Sequence, residues 1–189
     1  MDSRSSKNKH VHILDRPLSR GKTDISLSSF AFLFSEYVQY CTNRVMTIPD
    51  LQNKLAKLGN DVGFHLVEIL NHREKTPKRE NKLINTLLFI KGTVWKSLFG
   101  KEADKLERAD DDEKTYLIIE NEPLVNRFIS IPKDKSSLNC AAFMGGIVET
   151  ILNHSGFPCK VTAHWHKGST LLIKFEDSVM QREIAIKNM

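Results

Sequence analysis

Two histidines flank a tryptophan near the end of the chain, in the segment AHWHKGSTLLIKF (residues 163–175). Alternate residues of a β-strand point to the same face, so His164 and His166 would share a face if one regular strand held both. Imidazole nitrogens on a common face are ordinary zinc ligands, and one cysteine could complete such a set. A zinc site is therefore the first chemical hypothesis that the sequence raises.

The pairing of this segment with itself argues against that hypothesis. A two-residue turn at Lys167–Gly168 would put the apolar residues of the two strands on mismatched faces. A three-residue loop, 166–168, ends on glycine, which accepts the positive φ that such loops need, and aligns the apolar faces. The predicted pairs are Trp165 with Ser169, Ala163 with Leu171, and Val161 with Ile173. This register assigns His166 to the turn, and it leaves Trp165 either on the buried face or in a subunit contact.

The remaining reactive residues form no recognisable catalytic pattern. The three cysteines, Cys41, Cys140 and Cys159, are odd in number and widely spaced, so they predict neither a disulfide framework nor a Cys-x-x-Cys site. Reduced thiols in a cytosolic protein are the simplest interpretation. The acidic run 110–112 lies in a charged linker rather than in a defined carboxylate site. We therefore expect no catalytic residue, no cofactor and no metal, and a protein that is not an enzyme.

Most of the net charge of +5 comes from the first residues of the chain. Residues 1–22 hold six basic side chains against two acidic ones, which leaves +4 in a segment without a signal-type apolar region. We expect a basic, disordered tail at 1–22 followed by a single domain at 23–189. Such a tail could lie on an anionic membrane surface. Nucleic-acid binding fits less well, because the tail has no aromatic side chain to stack on bases.

Three helices are predicted in the first half of the chain. The first runs from about residue 23 to 43, the second starts at Thr47 and continues to about Leu70, and the third spans about 77–99. Gly59 and Gly63 interrupt the second helix, which indicates either a kink or a close approach of another backbone. The aromatic stripe of the first helix is wide enough for the core alone or for the core plus a partner. The candidate partner-interface residues are Phe30, Phe34, Tyr37, Val38, Cys41, Val62 and Leu66.

After an acidic linker at 101–114, the spacing of apolar residues changes from that of helices to that of strands. Residues 115–120 and 126–132 read as two strands joined by a turn, and a helix over about 136–154 precedes the final hairpin. The resulting order is α-α-α-β-β-α-β-β. This order predicts an α+β fold in which helices pack on one face of a small antiparallel sheet of about four strands.

Five long stretches of the sequence resemble one family. They are LSSFAFLFSEYVQYC, FIKGTVWKSLFGKEADKLE, YLIIENEPLVNRFISIPK, LNCAAFMGGIVETILNHSGFP and KVTAHWHKGSTLLIKFE, and they span most of the chain from about Leu27 to Glu176. In these stretches the chain is similar to the small subunits of the trafficking protein particle (TRAPP) complex, the Bet-three-like family.

The resemblance implies a fold and a role. It implies helices on an antiparallel sheet, pairing with a related small subunit through helical surfaces, and a non-catalytic scaffold role in a complex that tethers vesicles between endoplasmic reticulum and Golgi. It also implies support of nucleotide exchange on a Rab-family GTPase by the assembled complex. The expected location is cytoplasmic and peripheral to endoplasmic reticulum and cis-Golgi membranes. A small hydrophobic-ligand-binding module of related fold is the alternative.

The sequence departs from the family at one position. A well-known member of the family carries a cysteine after the second helix, and that cysteine takes a fatty acyl chain into a hydrophobic channel. The corresponding stretch here, residues 70–81, reads LNHREKTPKREN and contains no cysteine. We therefore expect no acylation of this chain.

Overall fold

The computed structural model describes residues 25–73, 82–131 and 137–187. The helices are α1 (Leu27–Thr42), α2 (Ile48–Arg73), α3 (Leu83–Phe89), α4 (Trp95–Phe99), α5 (Leu124–Arg127), α6 (Ala142–His154) and α7 (Asp177–Lys187), and a π-helical segment, Ile90–Val94, joins α3 to α4. The strands are β1 (Lys105–Arg108), β2 (Thr115–Glu120), β3 (Cys159–Trp165) and β4 (Ser169–Phe175). The predicted tail and residues 77–81 of the predicted third helix lie outside the described residues.

All neighbouring strands of the sheet are antiparallel, in the order β1-β2-β4-β3. The predicted α+β class is confirmed, and so is the hairpin register, since Trp165 pairs with Ser169 and Val161 with Ile173. The turn adopts positive φ at Lys167 (48°) and Gly168 (91°). A Cβ atom on Gly168 would lie 2.7 Å from the Cα atom of Asn121, so both the backbone angle and the space require glycine there.

One predicted strand was wrong, and one strand was missed. Residues 126–132 form no strand within their described part. The chain instead makes the short helix α5, where Asn126 accepts the N–H of Cys140 and donates to Ser169 Oγ, both at 3.0 Å. The missing strand is β1, which lies in the stretch predicted as an acidic linker. Only Leu106 of its four residues is apolar, so an edge strand of this composition carries little hydrophobic alternation.

Helices α2 and α6 cross with their backbones in contact. A Cβ atom on Gly59 would stand 2.0 Å from the carbonyl oxygen of Phe143, and one on Gly146 would stand 2.0 Å from that of Ala56. The sequence left open a kink or a close backbone approach, and the structure shows the close approach. With its amide nitrogen facing the acceptors, Asn60 donates to the Gly146 carbonyl at 2.9 Å and adds a polar link across the crossing.

Helix α6 and the α3–α4 region rest on one face of the sheet. Gly145 of α6 lies against Val161 and Leu171, at ordinary van der Waals distance from a hypothetical Cβ. Trp95 is buried and donates its indole N–H to Glu120 at 3.1 Å, which ties α4 to the end of β2. Helices thereby cover this face of the sheet, as the predicted architecture requires.

The terminal helix α7 was not predicted. Val179 is its one buried apolar residue, so the sequence shows little helical periodicity. Glu183 accepts the backbone N–H of Leu83 at 2.8 Å and so satisfies a free donor at the start of α3. Arg182 stacks over the ring of Phe157, with its guanidinium carbon 4.6 Å from the centroid.

We predict that Gly146→Ala destabilises the protein by about 3 kcal/mol, because the new methyl group has no room against the Ala56 carbonyl. The midpoint of urea unfolding measures the effect. Gly92→Ala is the matched control, since the nearest atom to its Cβ is 4.0 Å away, and its midpoint should stay close to that of the wild type. Equal midpoints for the two variants would contradict the importance of the crossing.

Candidate interaction surface

Helix α1 carries apolar side chains on two sides. Phe34, Val38 and Cys41 point into the core, and the Phe34 ring meets Phe143 of α6 edge-on with centroids 5.5 Å apart. Phe32 and Leu33 point away from the core and are 78% and 73% exposed. The inward side of α1 is thus covered within this chain, whereas Phe32 and Leu33 form exposed apolar surface of the kind that often marks an interaction site.

Three exposed apolar side chains of α1 lie away from its buried stripe, and we name them the α1 outer face. Its members are Phe32, Leu33 and Tyr40, and the flanking Ile25, Leu27 and Met46 are exposed as well. The guanidinium carbon of Arg44 sits 3.5 Å from the centroid of the Tyr40 ring, so one end of the face has a cation stacked on an aromatic ring.

The predicted interface residues divide into two groups. Phe34, Val38 and Cys41 are core residues of this chain, whereas Phe30, Tyr37, Val62 and Leu66 are half-buried and pack against that core. The sequence pattern therefore selected the inward side of α1. The candidate set does not include the exposed Phe32 and Leu33, whose signal in the sequence is the spread of apolar residues beyond a single helical stripe.

Desolvation favours the neutral forms of one tyrosine and two cysteines. Burial, together with a hydrogen bond to Cys41, raises the pKa of Tyr37 to about 12. Burial likewise raises the pKa of the Cys140 thiol to about 12. The half-buried Cys159 thiol has a pKa raised to about 12, first because desolvation disfavours the thiolate and then because Glu149 is close. Protonated thiols are poor nucleophiles and poor metal ligands.

The two histidines of the hairpin do not converge. His164 lies on the exposed side of β3, with its Nε2 atom 2.8 Å from Thr162 Oγ1, and His166 is exposed in the turn. Across the described ranges, no group of three or more His, Cys, Asp or Glu side chains is placed to hold a metal ion. Trp165, at the end of the apolar face of β3, is 50% exposed.

The acidic run 110–112 has a structural use. Asp112 accepts the N–H of Lys114 at 3.0 Å and the hydroxyl of Thr115 at 2.9 Å, and these bonds lower the pKa of its carboxyl. The side chain thus shapes the turn between β1 and β2.

No helix in the described part of the chain is both long and apolar enough to cross a membrane.

Comparison with known proteins identifies the class to which this helix-covered sheet and apolar helix belong. The family model described as transport protein particle (TRAPP) component matches residues 30–176. The chain therefore belongs to the TRAPP family, as the sequence resemblance implied.

Individual relatives align with nearly the whole chain. Trafficking protein particle complex subunit 5 from Homo sapiens is 56% identical over 187 residues, which cover 99% of each chain. The protein of the same name from Dictyostelium discoideum is 50% identical, over 91% of this chain and 96% of its own. Subunit 31 from Saccharomyces cerevisiae is 26% identical over 86% of this chain and 80% of its own.

A solved structure supports the fold. The crystal structure of a trafficking protein particle complex subunit 3 from Naegleria fowleri, covalently bound to palmitic acid, superposes with a TM-score of 0.71. It covers 80% of this chain and 95% of its own at 14% sequence identity. At that identity the likeness concerns the fold alone.

We predict that Cys159 reacts slowly with iodoacetamide at pH 8. A pKa of about 12 in place of 9.0 leaves about a thousandfold less thiolate at that pH, and only the thiolate is alkylated. The labelling rate, followed by mass spectrometry, should rise steadily as the pH is raised toward 12. Unfolding in urea is the control and should restore the rate of a free cysteine peptide. Fast labelling of the folded chain at pH 8 would contradict the burial argument.

Proposed function

We propose that this TRAPP subunit is a non-catalytic scaffold that pairs with a related small subunit through the α1 outer face. The observation that carries the proposal is the exposure of Phe32 and Leu33, 78% and 73%, on a helix whose opposite side is already in the core. Covering both side chains would contribute on the order of 3–6 kcal/mol to association, before the costs of association are subtracted.

The interface residues predicted from the sequence have two roles in this proposed contact. In the proposed pair, the half-buried Phe30, Tyr37, Val62 and Leu66 extend the contact from α1 onto α2. The buried Phe34, Val38 and Cys41 support it indirectly, because they fix the rotation of α1 about its own axis. That rotation decides which side chains face outward.

At the level of the cell, we propose a role in vesicle transport between endoplasmic reticulum and Golgi. The assembled complex would act on a Rab-family GTPase as a nucleotide exchange factor, with this chain linking neighbouring subunits rather than performing exchange itself. The proposed location is cytoplasmic and peripheral to those membranes, with the basic residues 1–22 near the anionic surface. The names of the relatives, all trafficking complex subunits, support the general role in trafficking.

Pairing is tested by co-expression with each of the other small TRAPP subunits in turn, followed by size-exclusion chromatography. Phe32→Glu and Leu33→Glu should each reduce recovery of the pair at least tenfold, because the partner would have to bury an unpaired charge. Ile184→Glu is the matched control: Ile184 is also an exposed helical residue, at 58%, and its variant should pair normally. A wild-type chain that stays monomeric with every small subunit would refute the proposal.

We further propose that this chain carries no fatty acyl group. The palmitate in the Naegleria fowleri structure belongs to that protein, and residues 70–81 of this chain lack a cysteine. The raised thiol pKa values of Cys140 and Cys159 also disfavour attack on an acyl thioester. The intact mass of protein purified from eukaryotic cells should match the sequence with no palmitate-sized addition. An addition that hydroxylamine removes would show the proposal to be wrong.

A further inference from the structure

The two edges of the sheet differ in how they meet solvent. At the β3 edge, two outward backbone N–H groups are taken by α6 side chains: Glu149 accepts that of Val161 at 2.8 Å, and Asn153 accepts that of Cys159 at 3.0 Å. An incoming strand would have to displace these side chains. Such blocking is a common way to protect an edge strand from unwanted pairing.

The β1 edge is protected by its short length and by the charged Lys105, Glu107 and Arg108 around Leu106, but no side chain of the described residues takes its outward backbone groups. Ala109 donates to the carbonyl of Thr115 at 2.9 Å, so this pair is hydrogen-bonded, and antiparallel alternation then points the backbone groups of Leu106 and Arg108 away from β2. In residues 25–73, 82–131 and 137–187, no hydrogen-bond partner reaches these outward N–H and C=O groups. Within the part of the chain that the structure describes, the edge therefore offers four unpaired backbone groups.

An apolar groove of about 490 Å³ runs beside this edge, between α3 and β1. Leu83, Leu106 and Tyr116 line it, together with Ile84 and Leu88, which are 44% and 52% exposed. Leu106 and Tyr116 lie on the same face of the sheet, because Leu106 pairs with Ile118 and Arg108 pairs with Tyr116. A strand added to β1 would consequently point every second side chain into the groove.

The charged side chains of the groove already have partners. These are Lys91 with Glu102 at 4.0 Å, Arg108 with Glu113 at 3.3 Å, Glu107 with Lys167 at 3.7 Å, and Glu183 with the Leu83 N–H. Two cations and two anions line the groove, so their formal charges balance, and the other five of its nine lining residues are apolar or aromatic. This lining favours an uncharged occupant with apolar side chains.

We propose that the β1 edge binds an extended, uncharged segment of a partner protein, which adds to the sheet as a fifth strand. A helix could fill the groove, but it would leave the backbone groups of Leu106 and Arg108 unpaired. An extended segment satisfies both features at once, as in known strand-addition complexes. The four residues of β1 span about 14 Å, so four to six residues of the partner would make the contact. The site is separate from the α1 outer face.

The test selects peptides on the full-length protein from a phage-displayed library of random ten-residue sequences. Enriched peptides should carry apolar residues at every second position. A synthetic copy of one such peptide should slow hydrogen–deuterium exchange at the Leu106 and Arg108 amides at least tenfold. Ile84→Glu and Leu88→Glu should each weaken its binding at least tenfold. Ile69→Glu, another exposed helical isoleucine at 41%, is the matched control and should bind normally.

Several outcomes would overturn the proposal. They are a selection without enrichment, peptides with helical spacing, and unchanged binding by both groove variants, whose folding is checked by circular dichroism. Slow exchange at Leu106 and Arg108 in the free protein would also overturn it, because the edge would then already be occupied. Faster exchange after removal of residues 1–22 would identify those residues as the occupant, and faster exchange on dilution would identify a second copy of the chain. Leu33→Glu should still bind the peptide, so this proposal and subunit pairing can fail independently.

Discussion

The backbone contact between α2 and α6 is the constraint on which the rest of the molecule depends. Gly59 and Gly146 let the two helices cross with carbonyl oxygens where side chains would normally stand. Because α6 also rests on β3 and β4 through Gly145, the crossing sets the distance between the sheet and α2. A helix layer held this close leaves no space for larger side chains between α2 and α6, so small residues at these positions determine the spacing of the whole helical layer.

The exposed side of α1 follows from that spacing. Phe34 packs edge-on against Phe143, which lies within the α2–α6 crossing, and this contact fixes the rotation of α1. Once Phe34 faces inward, helical geometry sends Phe32 and Leu33 toward solvent. The direction of the apolar surface proposed for subunit pairing is thus set by the packing of Phe34 in the core rather than by contacts among the exposed side chains.

The sequence predicted those parts of the fold in which apolar spacing has a single solution. The β3–β4 register could be predicted because only one loop length aligns Val161 with Ile173 on the buried face. The apolar Ile129 and Ile131 are also spaced as in a strand. The tertiary hydrogen bonds of Asn126 nevertheless hold the chain just before them in a helical turn. The inward side of α1 could be predicted from its apolar stripe, whereas the exposure of Phe32 and Leu33 could not, because the spacing of these two residues does not show whether another element covers them.

The polar chemistry of the chain is largely used to hold its own elements together. Glu120 accepts from Trp95 and lies against the Lys101 ammonium, and this contact raises the pKa of that lysine. Glu149 and Asn153 block the β3 edge in the same way. Carboxylates committed to such contacts are not free to act on a substrate. In the described part of the chain, the exposed apolar side chains of α1 and the outward backbone groups of β1 are features that suit the binding of other proteins.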